Sequence, residues 1–365
     1  MPAIFPSRRV RRTPFTPGNE AAGVSAYTVY NRMLLPTAFG ALAEDYRHLK
    51  SAVQVWDVAC ERQVQIEGPD APHLMALISP RDLAKMQAGQ CFYLPVCDAK
   101  GGMLNDPVAL KLAGDRFWVS LADSDLLLWI KGIATALKLN VSVSEPDVSP
   151  LAVQGPKADE LMARVFGQEA RAIRFFRFAP LEFEGRRYNV ARSGYSKQGG
   201  FEIYVEGFEH GMALWQALFA AGADLDVRAG CPNLIERIEG GLLSYGNDMT
   251  AENNPFECGL GKYVTSGAEY IGRAALEKLR AEGHAREIRA IAIEGPSVPP
   301  CDRPWELFAG RERAGQVTSA AYSPDFAVNV AIGMVERGHR VVGTTLEIEA
   351  PDGRRKARVQ EKFWI

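Results

Sequence analysis

The sequence predicts an α+β protein whose C-terminal part is all β. Three observations carry that prediction. From Arg286 onward, short β-type runs are separated by turn signals at Glu294-Gly-Pro, Ala309-Gly-Arg and Pro351-Asp-Gly, the pattern of a small barrel or sandwich. Before that point, strand-like and helix-like stretches alternate up to about residue 50 and again from about 150 to 280. At 365 residues the chain is too long for one small core, so two or three domains are expected.

Between the two mixed stretches, residues 53–67, 91–96, 108–112 and 116–122 read as strands. Residues 123–139 read as an amphipathic helix, and residues 141–150 as a strand followed by a proline-containing connector. The most informative segment is Ala191-Arg-Ser-Gly-Tyr-Ser-Lys-Gln-Gly-Gly-Phe-Glu-Ile-Tyr-Val205, a strand, a glycine turn and a returning strand. Gly194, Gly199 and Gly200 relax the turn and leave room for a flat ligand. Along the returning strand Glu202 and Tyr204 share one face, and Phe201 and Ile203 the other. An acid and a phenol thus point the same way beside the turn residue Tyr195. An ordinary hairpin with a half-exposed glutamate would show the same pattern. Further on, Leu234, Ile235, Ile238 and Leu242 make a helical apolar stripe, with Glu236, Arg237 and Glu239 off it.

Composition narrows the function classes. The net charge is −2, so no nucleic-acid footprint is present. No apolar run reaches membrane-spanning length, and Met1-Pro-Ala-Ile-Phe-Pro is too short and proline-broken for a signal peptide. Arg8, Arg9, Arg11 and Arg12 cluster near the start, either as a solvated arm or as a grip on an anionic ligand tail or a partner subunit. The cysteines at 60, 91, 97, 231, 258 and 301 form no CxxC pair, and the five histidines stand singly, so no metal site is signalled. Reduced thiols and a cytoplasmic location are expected. No phosphate-cradling or dinucleotide motif is present.

Six ordered motifs, spread over most of the chain, carry a resemblance. They are Val55-Trp-Asp-Val58 with Ile66-Glu-Gly-Pro-Asp-Ala71, Gly101-Gly-Met-Leu-Asn-Asp-Pro107, Leu151-Ala-Val-Gln-Gly-Pro-Lys-Ala158, the glycine-turn hairpin, Arg237-Ile-Glu-Gly240 running to Tyr245-Gly-Asn-Asp248, and Gly315-Gln-Val-Thr-Ser-Ala-Ala-Tyr-Ser-Pro324. Together they resemble the folate-binding aminomethyltransferase family, the T-protein of the glycine cleavage system and its relatives. The resemblance implies a three-domain fold arranged as a ring around a folate channel, with a C-terminal β-barrel domain. It implies an aminomethyltransferase-like region over residues 1–285 (1–50 with 150–285 as one domain, 51–149 as a second) and the barrel over 286–365. A homodimer is compatible with it.

Several segments are more similar to the branch of that family that demethylates dimethylsulfoniopropionate. They are Ser7-Arg-Arg-Val-Arg-Arg-Thr-Pro-Phe15, Tyr27-Thr-Val-Tyr-Asn31, Val53-Gln-Val-Trp-Asp-Val58, Ser193-Gly-Tyr-Ser-Lys-Gln-Gly-Gly200 and Gly230-Cys-Pro-Asn-Leu-Ile-Glu-Arg237. That likeness implies a tetrahydrofolate-dependent methyltransferase acting on a small sulfonium substrate, without metal. The alternatives are a folate-dependent transferase acting on an amine or methoxy donor, and a folate-binding protein without turnover. One departure bears on the substrate: Tyr195 stands where the branch has a tryptophan lining the sulfonium pocket, and tyrosine offers a cation a weaker π face.

The resemblance also assigns roles. Glu202 matches the glutamate that reads the pterin, Arg237 the arginine that contacts folate, and Asp106 the acid nearest the reactive pterin nitrogen and so the catalytic candidate. On its own Asp106 would be a plain turn aspartate, pushed toward extended backbone by Pro107. Tyr195, Tyr204 and Phe176 are the expected walls for the cation. Arg32, Lys197 and the N-terminal arginines are the candidates for the substrate carboxylate.

Overall fold

The structure, a computed structural model, describes residues 6–365. The stretch 1–5, on which the signal-peptide expectation falls, lies outside the described residues. The chain divides into two compact units whose segments interleave in sequence. One takes in the chain through Leu74 together with Lys85–Tyr93 and Pro107–Asn233. The other takes in Met75–Ala84, Leu94–Asp106 and Leu234–Ile365.

The first unit is built on two sheets. Six strands run in the order Phe178–Phe183, Arg186–Ala191, Gly200–Glu206, Val148–Gln154, Val53–Asp57 and Val227–Gly230, antiparallel except for the last pair. Period two sorts the side chains. Val53, Val55, Leu151, Val153, Phe201, Ile203 and Val205 join one apolar core. Helix Ala158–Phe166 contributes Leu161, Met162 and Phe166 to it, at helical spacing, and ends at Gly167 with φ +87°. Helix Gly211–Ala221 adds Leu214, Trp215 and Leu218. Glu202 and Tyr204 therefore point to the opposite face. There Tyr204 clusters with Cys91, Leu110 and Trp118 of the second sheet. That sheet is antiparallel, in the order Ser142–Ser144, Gln63–Glu67, Arg116–Ser120, Val108–Ala113 and Cys91–Tyr93.

Three sequence expectations shift here. The single strand read at 53–67 is two, Val53–Asp57 and Gln63–Glu67, which belong to different sheets. A turn closed by the Glu61 N–H on the Val58 carbonyl separates them. Asp57 at that break is buried and accepts from Thr13 Oγ1 and Asn19 Nδ2, pinning the start of the chain to the sheet; burial pushes its carboxyl up to about 6. The helix expected over 123–139 spans only Leu126–Ala136. Its lead-in is tied down first, Asn31 N–H donating to Asp123 Oδ1 and Ser124 N–H to Asn31 Oδ1. The expected connector before Pro150 is already strand, with Pro150 paired opposite Tyr204.

The second unit carries a closed barrel of six strands, in the order Arg286–Ile293, Val328–Glu336, Glu312–Ser323, Trp305–Ala309, Thr345–Ala350 and Gly353–Val359. Pairing of Ile291 with Val359 closes it, so the barrel replaces the sandwich alternative. Strand Thr345–Ala350 alternates strictly, with Leu346, Ile348 and Ala350 inside beside Ile291, Leu307, Val317 and Val335. The same unit holds helix Leu234–Glu239 and a small ribbon of Val96–Cys97 with Met103–Asn105. Among the described residues, no helix is long and apolar enough to cross a membrane.

Candidate functional site

The hairpin of Arg186–Ala191 and Gly200–Glu206 carries the candidate residues of the first unit. Two of its glycines make room inside the protein itself. Gly194 (φ +144°) and Gly200 (φ +152°) make room for Gln154, since a Cβ on either would lie 2.0 and 2.6 Å from its amide nitrogen. Gln154 is fully buried. It donates to the carbonyls of Ser193 (3.1 Å) and Phe201 (3.3 Å) and accepts from Ser196 Oγ (2.8 Å), lacing the turn to the sheet. The close approach is thus to a side chain of the protein, and the sequence signal for it was the Leu151–Ala158 motif.

Glu202 is 8% exposed, which corrects the half-exposed alternative. Ser193 Oγ donates to its Oε2. Burial pushes its carboxyl up from the usual range, and the neighbouring Ser193 and Tyr204 hydroxyls offset only part of that rise. The arrangement leaves a desolvated acceptor whose remaining lone pairs suit N–H donors.

Aromatic rings surround that carboxylate's face of the sheet. Tyr204 is 1% exposed and tilted against Trp118, with centroids 5.9 Å apart. Phe176 packs on the same cluster. Its φ of +56° is unusual for an aromatic residue; strain of this kind costs about 1–3 kcal/mol. Two backbone bonds hold it, its N–H to the Arg192 carbonyl (3.0 Å) and its carbonyl from the Cys91 N–H (2.9 Å). Tyr195 lies in the hairpin loop, half-buried. Trp118 was missed in the sequence; its alternation with Phe117 on strand Arg116–Ser120 was the available signal.

The second unit holds Asp106 and Arg237. Asp106 is half-buried and follows directly on strand Met103–Asn105. The preceding turn is fixed by Asp98 Oδ1, which accepts from the Lys100 (2.8 Å) and Gly102 (2.9 Å) N–H groups. Tyr245 donates to the Met103 carbonyl at 2.9 Å, and its phenol is pushed up by burial and then by the charge of Asp106.

Arg237 is 6% exposed. Its guanidinium donates to Asp248 Oδ2 (2.8 Å), Ser319 Oγ (2.6 Å) and the Leu242 carbonyl (3.2 Å). Asp248 accepts in turn from Thr318 Oγ1 (2.7 Å) and Ser319 Oγ (2.6 Å). The expected apolar stripe needs correcting. The helix ends at Glu239, so Leu242 lies beyond it, and the charged side is buried as well. Glu239 accepts from Ser323 Oγ at 2.5 Å.

Of the basic candidates, Arg11 pairs with Glu145 (2.9 Å), Arg12 with Glu20 and Arg32 with Asp125 (3.3 Å), while Arg8 and Arg9 are exposed. Among the described residues, no group of three His, Cys, Asp or Glu side chains could hold a metal ion.

Residues 15–268 match the GCVT N-terminal domain, and residues 286–364 match the glycine cleavage T-protein C-terminal barrel domain. The chain belongs to the glycine cleavage T-protein family. Within this family it is 64% identical, over 364 residues and the full length of both chains, to the dimethylsulfoniopropionate demethylase of Ruegeria pomeroyi. It is 26% identical to an aminomethyltransferase of Caldanaerobacter subterraneus, over 90% of this chain and 89% of the other. The crystal structure of the glycine cleavage system aminomethyltransferase T from Bartonella henselae superposes with a TM-score of 0.86, covering 97% of this chain and 98% of that one at 22% identity. That likeness confirms the family's α+β fold with its C-terminal barrel.

Proposed function

We propose that this chain is a tetrahydrofolate-dependent methyltransferase that demethylates dimethylsulfoniopropionate, giving methylmercaptopropionate and 5-methyltetrahydrofolate. The observation that carries the reading is the end-to-end 64% identity with the Ruegeria pomeroyi demethylase. The chemistry of Glu202 supports it. A buried carboxylate already held by the Ser193 hydroxyl suits the amino edge of a pterin, which presents only N–H donors there.

Bound tetrahydrofolate would supply the nucleophilic nitrogen-5. In the transfer the sulfur–methyl bond breaks, its electron pair stays on sulfur as a neutral thioether, a nitrogen–methyl bond forms, and the nitrogen gives up a proton. The protein's tasks are to orient, to desolvate and to manage that proton. Orientation of this kind supplies roughly 7–11 kcal/mol in favourable cases. Glu202 reads the pterin edge. Asp106 orients the reacting nitrogen and takes its proton. Tyr195 and Phe176 wall the cation, and the Tyr204 ring contributes from its buried position. Arg237 acts on folate from a fixed position, because Asp248 and Ser319 already hold its guanidinium. A small-molecule enzyme of the cytoplasm, with no nucleic-acid partner, fits the net charge of −2.

Calorimetry with tetrahydrofolate tests the cofactor part of this reading. Wild-type protein is expected to bind, and Glu202→Ala to lose about 1.5–3 kcal/mol of affinity, the usual worth of a hydrogen bond to a charged group. Equal affinity in wild type and variant would remove Glu202 from the site. Folate binding without turnover of the sulfonium would favour an amine or methoxy donor, with dimethylglycine the first to try.

A further inference from the structure

His48 lies in helix Leu42–Ser51, buried, and its ring is held from both sides. Trp56 Nε1 donates to Gln54 Oε1 at 2.8 Å, and an indole nitrogen can only donate. Gln54 Nε2 donates to the Asp45 carbonyl at 3.0 Å, and a carbonyl can only accept. These two neighbours fix the amide's orientation independently of each other. The second proton on Gln54 Nε2 faces His48 Nδ1 at 3.2 Å, so Nδ1 must accept. The ring proton then sits on Nε2, which donates to the Asp226 carbonyl at 2.8 Å. Gly230 closes over the group, since a Cβ there would lie 2.4 Å from Gln54 Oε1 and 2.8 Å from Trp56 Nε1.

The line joins three elements of the first unit. Gln54 and Trp56 lie on strand Val53–Asp57, and His48 lies on the helix. Asp226, with φ +58°, stands just before the edge strand Val227–Gly230. At the other end of the helix the Leu42 carbonyl accepts from Asn233 Nδ2 at 3.2 Å. Residues 226–233 are thus tied to helix Leu42–Ser51 at both ends. In sequence they run directly into helix Leu234–Glu239, which carries Arg237.

We infer that His48 is an acid-sensitive latch: neutral, with its proton on Nε2, it fastens the edge segment 226–233 to helix Leu42–Ser51, and on protonation it lets that segment go. A proton added at Nδ1 would meet the Gln54 N–H. Turning the amide to accept it would set the NH2 group against the indole N–H and the oxygen against the Asp45 carbonyl, so two hydrogen bonds would be lost elsewhere. Charges of both signs surround the ring. Asp45 stands on its own helix, Asp226 has a carboxylate oxygen 3.4 Å from Nε2, and Arg228 stands on the edge strand. Glu44 pairs with Arg228, and Lys157 stands near Asp226. The Asp226 carboxylate is exposed, so solvent screens its pull on a protonated ring. Burial outweighs it and holds His48 below the ordinary histidine range. The latch is therefore fully fastened above about pH 6.5 and weakens as pH falls below that value, where the unfolded chain takes up the proton more readily than the folded one.

Nitrogen-15 histidine labelling reads the tautomer directly, with His48 assigned by the loss of its signals in His48→Gln. In neutral solution Nδ1 should show the deshielded resonance of an unprotonated nitrogen, and Nε2 that of an N–H. Gln54→Glu, which sets an acceptor against Nδ1, should raise the His48 midpoint by at least about one pH unit, a tenfold gain in proton affinity. Hydrogen exchange of peptides from residues 226–233 tests the release itself. His48→Gln keeps a donor for the Asp226 carbonyl and does not titrate. The exchange rate of wild type relative to this variant should rise about tenfold between about pH 7.5 and about pH 5. A merely structural histidine would leave that ratio constant. Nδ1 carrying the proton in neutral solution, or a ratio unmoved by acid, would overturn the inference. Should Gln54→Glu fail to fold, the wild-type tautomer and the exchange ratio still decide. None of these measurements uses a ligand, so the latch stands or falls apart from the tetrahydrofolate reading.

Discussion

Asp106→Asn is expected to keep tetrahydrofolate affinity within a few-fold and to lower turnover by about 10²–10⁴-fold. Asparagine preserves the shape of the side chain and loses both the charge and the capacity to take a proton, and loss of a general base is worth about that factor. The position favours such a role. Asp106 leaves the end of a short ribbon whose turn is fixed by Asp98, so its carboxylate is presented from a rigid support. Single-turnover kinetics with saturating folate separates the two effects. A variant with near-wild-type turnover would reduce Asp106 to a turn residue.

Asp248→Ala should cost the protein a large part of its stability. Arg237 and Asp248 form a buried pair at 2.8 Å, with the carboxylate side chain fully enclosed. Removing the anion strands a guanidinium out of water and takes the acceptor away from Thr318 and Ser319. Breaking such a pair typically costs about 3–5 kcal/mol. The loss should appear in thermal unfolding of the unit that carries the barrel. Arg237→Met combined with Asp248→Leu should recover part of it, because two matched apolar groups leave no charge uncompensated. An Asp248→Ala protein as stable as wild type would show that this network carries little of the unit's stability.

Much of this molecule was legible from period and punctuation. The barrel's turns, the returning hairpin strand and the shared face of Glu202 and Tyr204 all follow from a repeat of two broken by glycine and proline. What escaped has physical reasons. Periodicity finds the apolar stripe of Leu234–Glu239 but cannot tell whether the other side meets solvent or a buried partner; in the fold Glu236, Arg237 and Glu239 are all inside. His48 and Asp226 become neighbours only through the fold, 178 positions apart, so nothing local marks them. Gly194 and Gly200 signalled a close approach correctly, but the sequence does not say that Gln154 is what approaches. The grouping of Met75–Ala84 and Leu94–Asp106 with the C-terminal unit is likewise a matter of long-range packing, which composition does not carry.

Methyl transfer from the sulfonium to folate is best tested by product analysis. Purified protein, dimethylsulfoniopropionate and tetrahydrofolate are incubated in the presence of a chelator, and both products are quantified. Methylmercaptopropionate and 5-methyltetrahydrofolate are expected in equal amounts, formed only when both substrates are present. Methylmercaptopropionate without methylated folate, or no demethylation by protein shown to bind tetrahydrofolate, would contradict the proposed reaction.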